Sequence, residues 1–192
     1  IKVRVDRIKR LQLLVEENMD SFHKALQSDF GSRHEQMSLL SDTLPVINNA
    51  KDALKNIHKW MKPEKRRPNF PLGLLGAKAY IQFQPYGVVG IISPWNFPLI
   101  LSIAPLVEVL AAGNNAMMKL SEFVPATSEL TEELISKYFN EKEVVVINGG
   151  PKTSQEFSSL PFDHLLFTGS TAVARKVAVS YTHLRAHETL TD

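Results

Sequence analysis

Four short segments carry side chains that could do chemistry, and each follows a stretch that reads as a β-strand. The first is Ser93-Pro94-Trp95-Asn96-Phe97-Pro98, where two prolines bracket an asparagine and deny the backbone a helical or central-strand path. A rigid loop of this kind presents one amide, so Asn96 Nδ2 is a candidate preorganised donor to a developing oxyanion. The same spacing also suits a turn that caps the next helix, with Trp95 as a packing anchor. The second segment is Lys119-Leu120-Ser121-Glu122. A cation and a carboxylate three residues apart could clamp the hydroxyls of a ribose, or form a surface ion pair while Ser121 caps the next segment. The third is Asn148-Gly149-Gly150-Pro151-Lys152-Thr153-Ser154, whose glycines allow a ligand to approach the backbone. The fourth, Thr168-Gly169-Ser170-Thr171, opens a helix, where amides and hydroxyls could face a phosphate or make a glycine turn and a hydroxyl cap.

Other chemistries are ruled out by what is missing. The third segment is no phosphate loop of the Gly-x-x-x-x-Gly-Lys-Ser/Thr kind, because Pro151 separates Gly150 from Lys152 and Val145 stands where the first glycine belongs. Neither Gly-x-Gly-x-x-Gly nor Gly-x-Ser-x-Gly occurs. The absence of cysteine excludes disulfides, thiolate metal sites and a thiol nucleophile within these residues. His183 and His187 are four apart, but no third ligand of suitable spacing accompanies them, so no metal is expected. His23, His34, His58 and His164 read as surface or packing residues.

The elements between the four segments must position them. Residues 88–92 (Val-Val-Gly-Ile-Ile) are apolar throughout and rich in β-branched side chains, the pattern of a strand buried on both faces of a parallel sheet. Further strands are predicted at 116–120, 144–147 and 164–167, with helices at 99–112, 126–139 and 154–159 and another starting at Thr171. This alternation implies right-handed crossovers and an α/β fold, mostly parallel, with helices on both sheet faces. Ligands of such sheets sit beyond the carboxyl ends of the strands, where the four segments lie.

Upstream, Val5, Ile8, Leu11, Val15, Met19, Phe22 and Leu26 recur every three or four residues, predicting one amphipathic helix over 3–26 that Ser28-Asp29-Phe30-Gly31 stops. A second, over 34–61, carries Leu39, Leu40, Leu44, Ile47, Ala50, Leu54 and Ile57, with a kink at Pro45. These two form a helical N-terminal layer. Residues 62–71 read as a solvated connector, and the alternation over 77–84 as a strand wet on one face.

A chain of 192 residues can bury roughly 70% of its unfolded surface without staples. Its 22 Lys and Arg against 20 Asp and Glu leave +2, with only residues 62–67 locally basic, so nucleic acid is not an expected partner. Apolar runs are broken well before the roughly 18 residues of a bilayer span, and no membrane partner is expected either. The chain opens with Ile1 inside a helical pattern and without a leader, reading as one cut at its start, with a cytoplasmic origin as the default.

In order and spacing, Pro94-Trp95-Asn96-Phe97-Pro98, Ala111-Ala112-Gly113-Asn114, Lys119-Leu120-Ser121-Glu122 and Phe167-Thr168-Gly169-Ser170-Thr171 resemble the aldehyde dehydrogenase superfamily, over about residues 1–179. Residues 162–170, the Gly149-Gly150-Pro151 loop and Asp29-Phe30-Gly31 are most similar to its coniferyl aldehyde dehydrogenase branch. The resemblance implies a Rossmann-like, incomplete cofactor domain with NAD as the expected cofactor and NADP as the alternative. It casts Asn96 as the oxyanion-hole amide and Ile92, Ser93, Pro94 and Trp95 as the wall beside the cofactor. Lys119, Ser121 and Glu122 then belong to the adenosine-ribose side, Gly150 to the adenine side, Gly169 and Ser170 to the pyrophosphate, and Val173 lies under the adenine. Leu120 and Ala174 depart from the family, which commonly has Pro and Gly there. The strand at 77–84 resembles one leading to the family's oligomerisation arm, which implies a homodimer.

The family's catalytic cysteine and Glu-Leu-Gly-Gly-Lys signature lie downstream of the helix beginning at Thr171, and neither occurs here. Residues 180–192 match no family pattern and resemble a foreign tail. The resemblance thus implies a full-length parent that oxidises an aldehyde, aromatic like coniferyl aldehyde, to its acid, and a 192-residue piece that turns nothing over. A non-catalytic nucleotide- or partner-binding module of the same fold is the alternative. A partly unfolded product with an unpaired strand edge is a third.

Overall fold

In the computed structural model, residues 1–188 are described; residues 189–192, the end of the segment that reads as a tail, lie outside them. Four strands, β3 (Val88–Ile92), β4 (Asn115–Lys119), β5 (Val144–Ile147) and β6 (His164–Phe167), form one parallel sheet in the order β5-β4-β3-β6. Helices α5 (Ile100–Ala112) and α6 (Pro125–Tyr138) connect β3 to β4 and β4 to β5, and α7 (Pro151–Ser158) returns the chain to β6 on the far side of β3. The last helix, α8 (Thr171–Glu188), packs with α7 and β6. The predicted parallel α/β fold is the one observed. The strand order reverses at β3, so β3 and β6 flank the switch point where ligands of such sheets bind.

Alternating side chains divide the sheet into two faces. Val89, Ile91, Ala116, Met118, Val144 and Val146 join a core with α5 and α6, and behind these lies an outer layer of α1 (Lys2–Glu17), α2 (Met19–Phe30) and α4 (Leu44–Trp60). Ile92, Met117, Ile147, Leu165 and Phe167 face the other way, against Phe157, Phe162 and Val177. Gly90 lies on this second face because a Cβ there would meet Leu165 at 2.7 Å and Phe162 at 2.8 Å.

The outer layer also caps the inner one. Both carboxylate oxygens of Asp29 accept from the first amides of α6, Ala126 N (2.9 Å) and Thr127 N (2.8 Å). Asp42 Oδ1 does the same for α5 through Leu99 N (3.1 Å) and Ile100 N (3.4 Å). Helix N-termini leave amides unsatisfied, and here carboxylates distant in sequence supply the acceptors.

Three local expectations need correction. The helix predicted over 3–26 is two helices broken at Asn18, whose Nδ2 donates to the Leu14 carbonyl at 2.8 Å and whose backbone leaves the helical region at φ −119°, ψ 20°. The second helix is not one regular element over 34–61. Instead α3 (Glu35–Ser38) passes through a π-helical turn (Leu39–Thr43) into α4, and this wide turn accommodates the missing proline N–H. The connector at 62–71 contains a strand, β1 (Glu64–Arg66), paired antiparallel with β2 (Ala79–Ile81). Tyr80 and Ile81 are both exposed, so this ribbon is wet on both faces. Among the described residues no helix is long and apolar enough to cross a membrane.

Candidate functional site

A cleft of about 870 Å³ opens beyond the carboxyl ends of β3, β4 and β6, on the side of α7 and α8. Ile92, Ser93, Pro94 and Trp95 line it from β3 and the following loop, Lys119, Ser121 and Glu122 from β4, and Gly169, Ser170 and Val173 from the β6–α8 junction. Backbone bonds knit these strand ends together: Ser93 N donates to Lys119 O (3.1 Å) and Thr168 N to Ile92 O (3.0 Å). Two sequence-predicted residues are not in this lining. Gly150 is the N-cap of α7, one residue before Pro151, which does line the cleft, and Asn96 is exposed on the loop beyond Trp95.

Lys119 is no surface residue. Its side chain is 1% exposed, its ammonium donates to the Leu120 carbonyl, and it stands 3.9 Å from Glu122 Oε2. Burial lowers its pKa, and the Glu122 carboxylate partly restores it. Ser121 Oγ accepts from Phe123 N at 3.3 Å and so caps its own turn while lining the cleft. Ser170 Oγ likewise accepts from Val173 N at 3.4 Å in the first turn of α8.

The loop over 93–98 is held from outside. Arg33, in the turn between α2 and α3, donates to the backbone carbonyl of Asn96 (3.1 Å) and pairs with the fully buried Asp42. Its guanidinium stacks over Phe30 (4.7 Å) and Phe97 (5.1 Å). Burial pushes the Asp42 carboxyl up from the usual range, against the pull of Arg33 and of the Ile100 and Leu99 amides. The cap of α5 is therefore Asp42, not a residue of the proline-bracketed loop. Sequence reasoning missed Arg33 and Asp42, since their partners lie 57 and 63 residues away.

The residues present fit a dinucleotide. The start of α8 offers the partial positive charge of a helix N-terminus to a phosphate, and Gly169 and Ser170 line the cleft there. A buried ammonium beside a carboxylate suits ribose hydroxyls. Ser93 Oγ, in the cleft wall, is buried with no hydrogen-bond partner. Ser154, Gln155 and Ser158 of α7, with Lys176, Val177 and Ser180 of α8, complete the lining and also went unpredicted. Their spacing of three and four was a usable signal, but the serines and glutamine leave no apolar stripe to read.

The family model described as the aldehyde dehydrogenase family matches residues 1–189. The chain is 55% identical over 155 residues to a "Probable coniferyl aldehyde dehydrogenase" of Caulobacter vibrioides, covering 80% of the chain and 32% of that protein. It is 44% identical over 177 residues to a coniferyl aldehyde dehydrogenase of a Pseudomonas species, covering 92% and 36%. Among solved structures it is similar to the substrate-bound state of Staphylococcus aureus AldH, with a TM-score of 0.90 at 31% identity, over 95% of this chain and 39% of that one. The chain thus spans about a third of the length of these curated relatives.

Proposed function

The chain belongs to the aldehyde dehydrogenase family, and from that premise we propose that the whole protein oxidises an aldehyde to the carboxylic acid with NAD(P) as acceptor. An aromatic aldehyde of the coniferyl type is the substrate favoured by the names of its relatives. The observation that carries this reading is the cleft at the strand switch point, where a buried ammonium–carboxylate pair and a helix N-terminus line one cavity.

When bound, NAD(P) supplies a hydride acceptor. The chain's own residues bind and orient it. Gly169, Ser170 and the first turn of α8 hold the phosphates, with Gly150 at the start of α7 and Val173 toward the adenine. Lys119 and Glu122 take the ribose hydroxyls, with Ser121 shaping their turn. Ile92, Ser93, Pro94 and Trp95 wall the inner end. Asn96 supplies an amide to the oxyanion that develops on the substrate carbonyl. NAD is preferred to NADP, because a carboxylate at Glu122 repels a 2′-phosphate.

With no cysteine among its residues, the chain cannot supply a thiol nucleophile, and alone it turns nothing over. The alternative reading is a module of the same fold that binds nucleotide or partner without turnover. Exposed Phe70, Leu74, Leu75, Tyr80 and Phe83 around the β1–β2 ribbon support assembly of the whole protein as a homodimer.

The test has two arms. Titrating NAD into the 192-residue chain should give saturable binding that fails in Glu122→Ala. In the whole protein, Asn96→Ala should lower kcat by roughly 10²–10³ with the KM for NAD unchanged. An unaltered kcat removes Asn96 from the oxyanion role, and nucleotide binding in a whole protein that oxidises no aldehyde supports the alternative reading.

A further inference from the structure

A separate cluster of ligand-capable side chains lies at the turn between α2 and α3, away from the cleft. Asp20 and His23 are one helical turn apart on α2, and Glu35 opens α3 across the turn. One ligand atom from each lies within 4.8 Å of the other two. Both carboxylates are exposed, whereas the His23 side chain is 8% exposed and its Nδ1 is buried without a hydrogen-bond partner.

The other ring nitrogen has a partner of its own. His23 Nε2 lies 3.3 Å from Thr43 Oγ1, and that hydroxyl donates its one proton to the Leu39 carbonyl at 3.3 Å. With the Thr43 hydroxyl so engaged it can accept from Nε2–H, the arrangement in which Nδ1 carries the lone pair available to a metal. That lone pair faces Glu35 Oε1 at 3.7 Å. At that distance no hydrogen bond joins the two, and among the described residues no Lys or Arg pairs with Asp20 or Glu35. An acceptor buried in this way is costly unless a cation completes it.

We propose that Asp20, His23 and Glu35 form a binding site for a divalent cation of borderline character, such as Zn²⁺, held through one imidazole nitrogen and two carboxylates. Thr43 is the outer partner that fixes the ring's orientation and tautomer. Both carboxylates are exposed, and a bound ion would draw them in to metal-ligand lengths of about 2.0–2.2 Å. His23, read from sequence as a packing residue, is half of that: it packs through one edge of the ring and ligates through the other. The histidine spacing could not suggest this site, because its third ligand comes from across the turn. A bound ion would tie α2 to α3 and pin the turn that carries Arg33. None of this depends on the cofactor reading.

Zn²⁺ titrated calorimetrically into the metal-free 192-residue chain should bind at one equivalent, and Co²⁺ should give a visible absorption band. Glu35→Gln and Asp20→Asn, both at exposed positions, should each weaken Zn²⁺ binding at least about tenfold while leaving the metal-free circular dichroism unchanged. Thr43→Val should weaken it by about 10–100-fold. The proposal is overturned if no stoichiometric binding occurs, or if all three variants bind as the parent does. It is equally overturned if ¹⁵N resonances of His23 show a doubly protonated ring at neutral pH that added Zn²⁺ does not change, for the cluster is then an ion pair.

Discussion

On one face of the sheet, Ile91 and Met118 lie under α5 and α6, and those helices lie in turn under α1 and α4. On the other face Ile92 and Phe167 meet only Phe157, Phe162 and a few partly buried neighbours, and the space beyond them is the cleft. The thick face is largely apolar, its buried polar groups being the helix-capping Asp42 and hydroxyls such as Ser102, Thr127 and Thr131 within α5 and α6. The thin face lets Lys119, Ser93 and Ser121 stand buried or nearly so in the wall of a cavity. On the proposed reading, stability and binding fall on opposite sides of the same strands. The thick side holds the strand ends still, and the thin side can keep polar atoms aimed at a ligand.

Substitutions on the two faces should separate these properties. The largest effect is expected from Phe22→Ala, which empties a fully buried site in the outer helical layer. It should cost about 3–5 kcal/mol in a denaturant titration. A loss below about 1 kcal/mol would show that the outer layer is not part of the cooperative unit.

Lys119→Met is the converse. Replacing a buried charge by an apolar chain of similar size is often near neutral for stability. Losing a charged donor to the ribose should weaken nucleotide binding by about 10–100-fold. If affinity survives while stability collapses, the ammonium is structural and the division between the faces fails at its central residue.

Gly90→Ala probes how far the thin face can yield. Its new Cβ meets Leu165 and Phe162 at under 3 Å, and the expected cost is about 1–3 kcal/mol by thermal melting. A neutral result would show that this face repacks freely.

The smallest effect belongs to Glu143, which ties α1 to the loop before β5. It pairs with Arg7 and Arg10, each at 2.9 Å, and the Arg10 hydrogen bond leads in lowering its pKa to about 2. A carboxylate depressed in the folded state stabilises the fold above its ordinary pKa and loses that contribution as pH falls from about 4.5 through about 2. Glu143→Gln should therefore cost about 1 kcal/mol at pH 7, after solvent screening, and nearly nothing at pH 2. A gap that is constant with pH would assign the effect to packing.

Much of the architecture was legible because the signals are local. The strands Val88–Ile92 and Val144–Ile147 fall on β-branched apolar runs and His164–Phe167 on a short apolar one, each followed within two residues by Pro, Asn or Gly, and the loop residues come after each strand as the fold class requires. The break at Asn18 was not legible. It depends on a side chain taking a carbonyl that its own amide would otherwise use, inside an uninterrupted apolar period. Of the β1–β2 ribbon, β2 falls within the strand read over 77–84, but β1 was not legible, since Glu64, Lys65 and Arg66 are charged and all exposed.

For the site, residue types and order in the chain drew Ser93, Pro94, Trp95, Lys119, Ser121, Glu122, Gly169 and Ser170 toward one end of one sheet, and the family resemblance added Ile92 and Val173. Proline, glycine and strand periodicity act over a few residues, and a parallel sheet gathers the loops after its strands at a single edge. Tertiary structure alone decided which charges are buried and who holds the loop. Lys119 lies at 1% exposure, Asp42 caps a helix 57 residues away, and Arg33 grips the carbonyl of Asn96. Burial and long-range hydrogen bonds belong to pairs of residues that meet only after the helical layer has closed over the sheet, and neither partner's local sequence records the other.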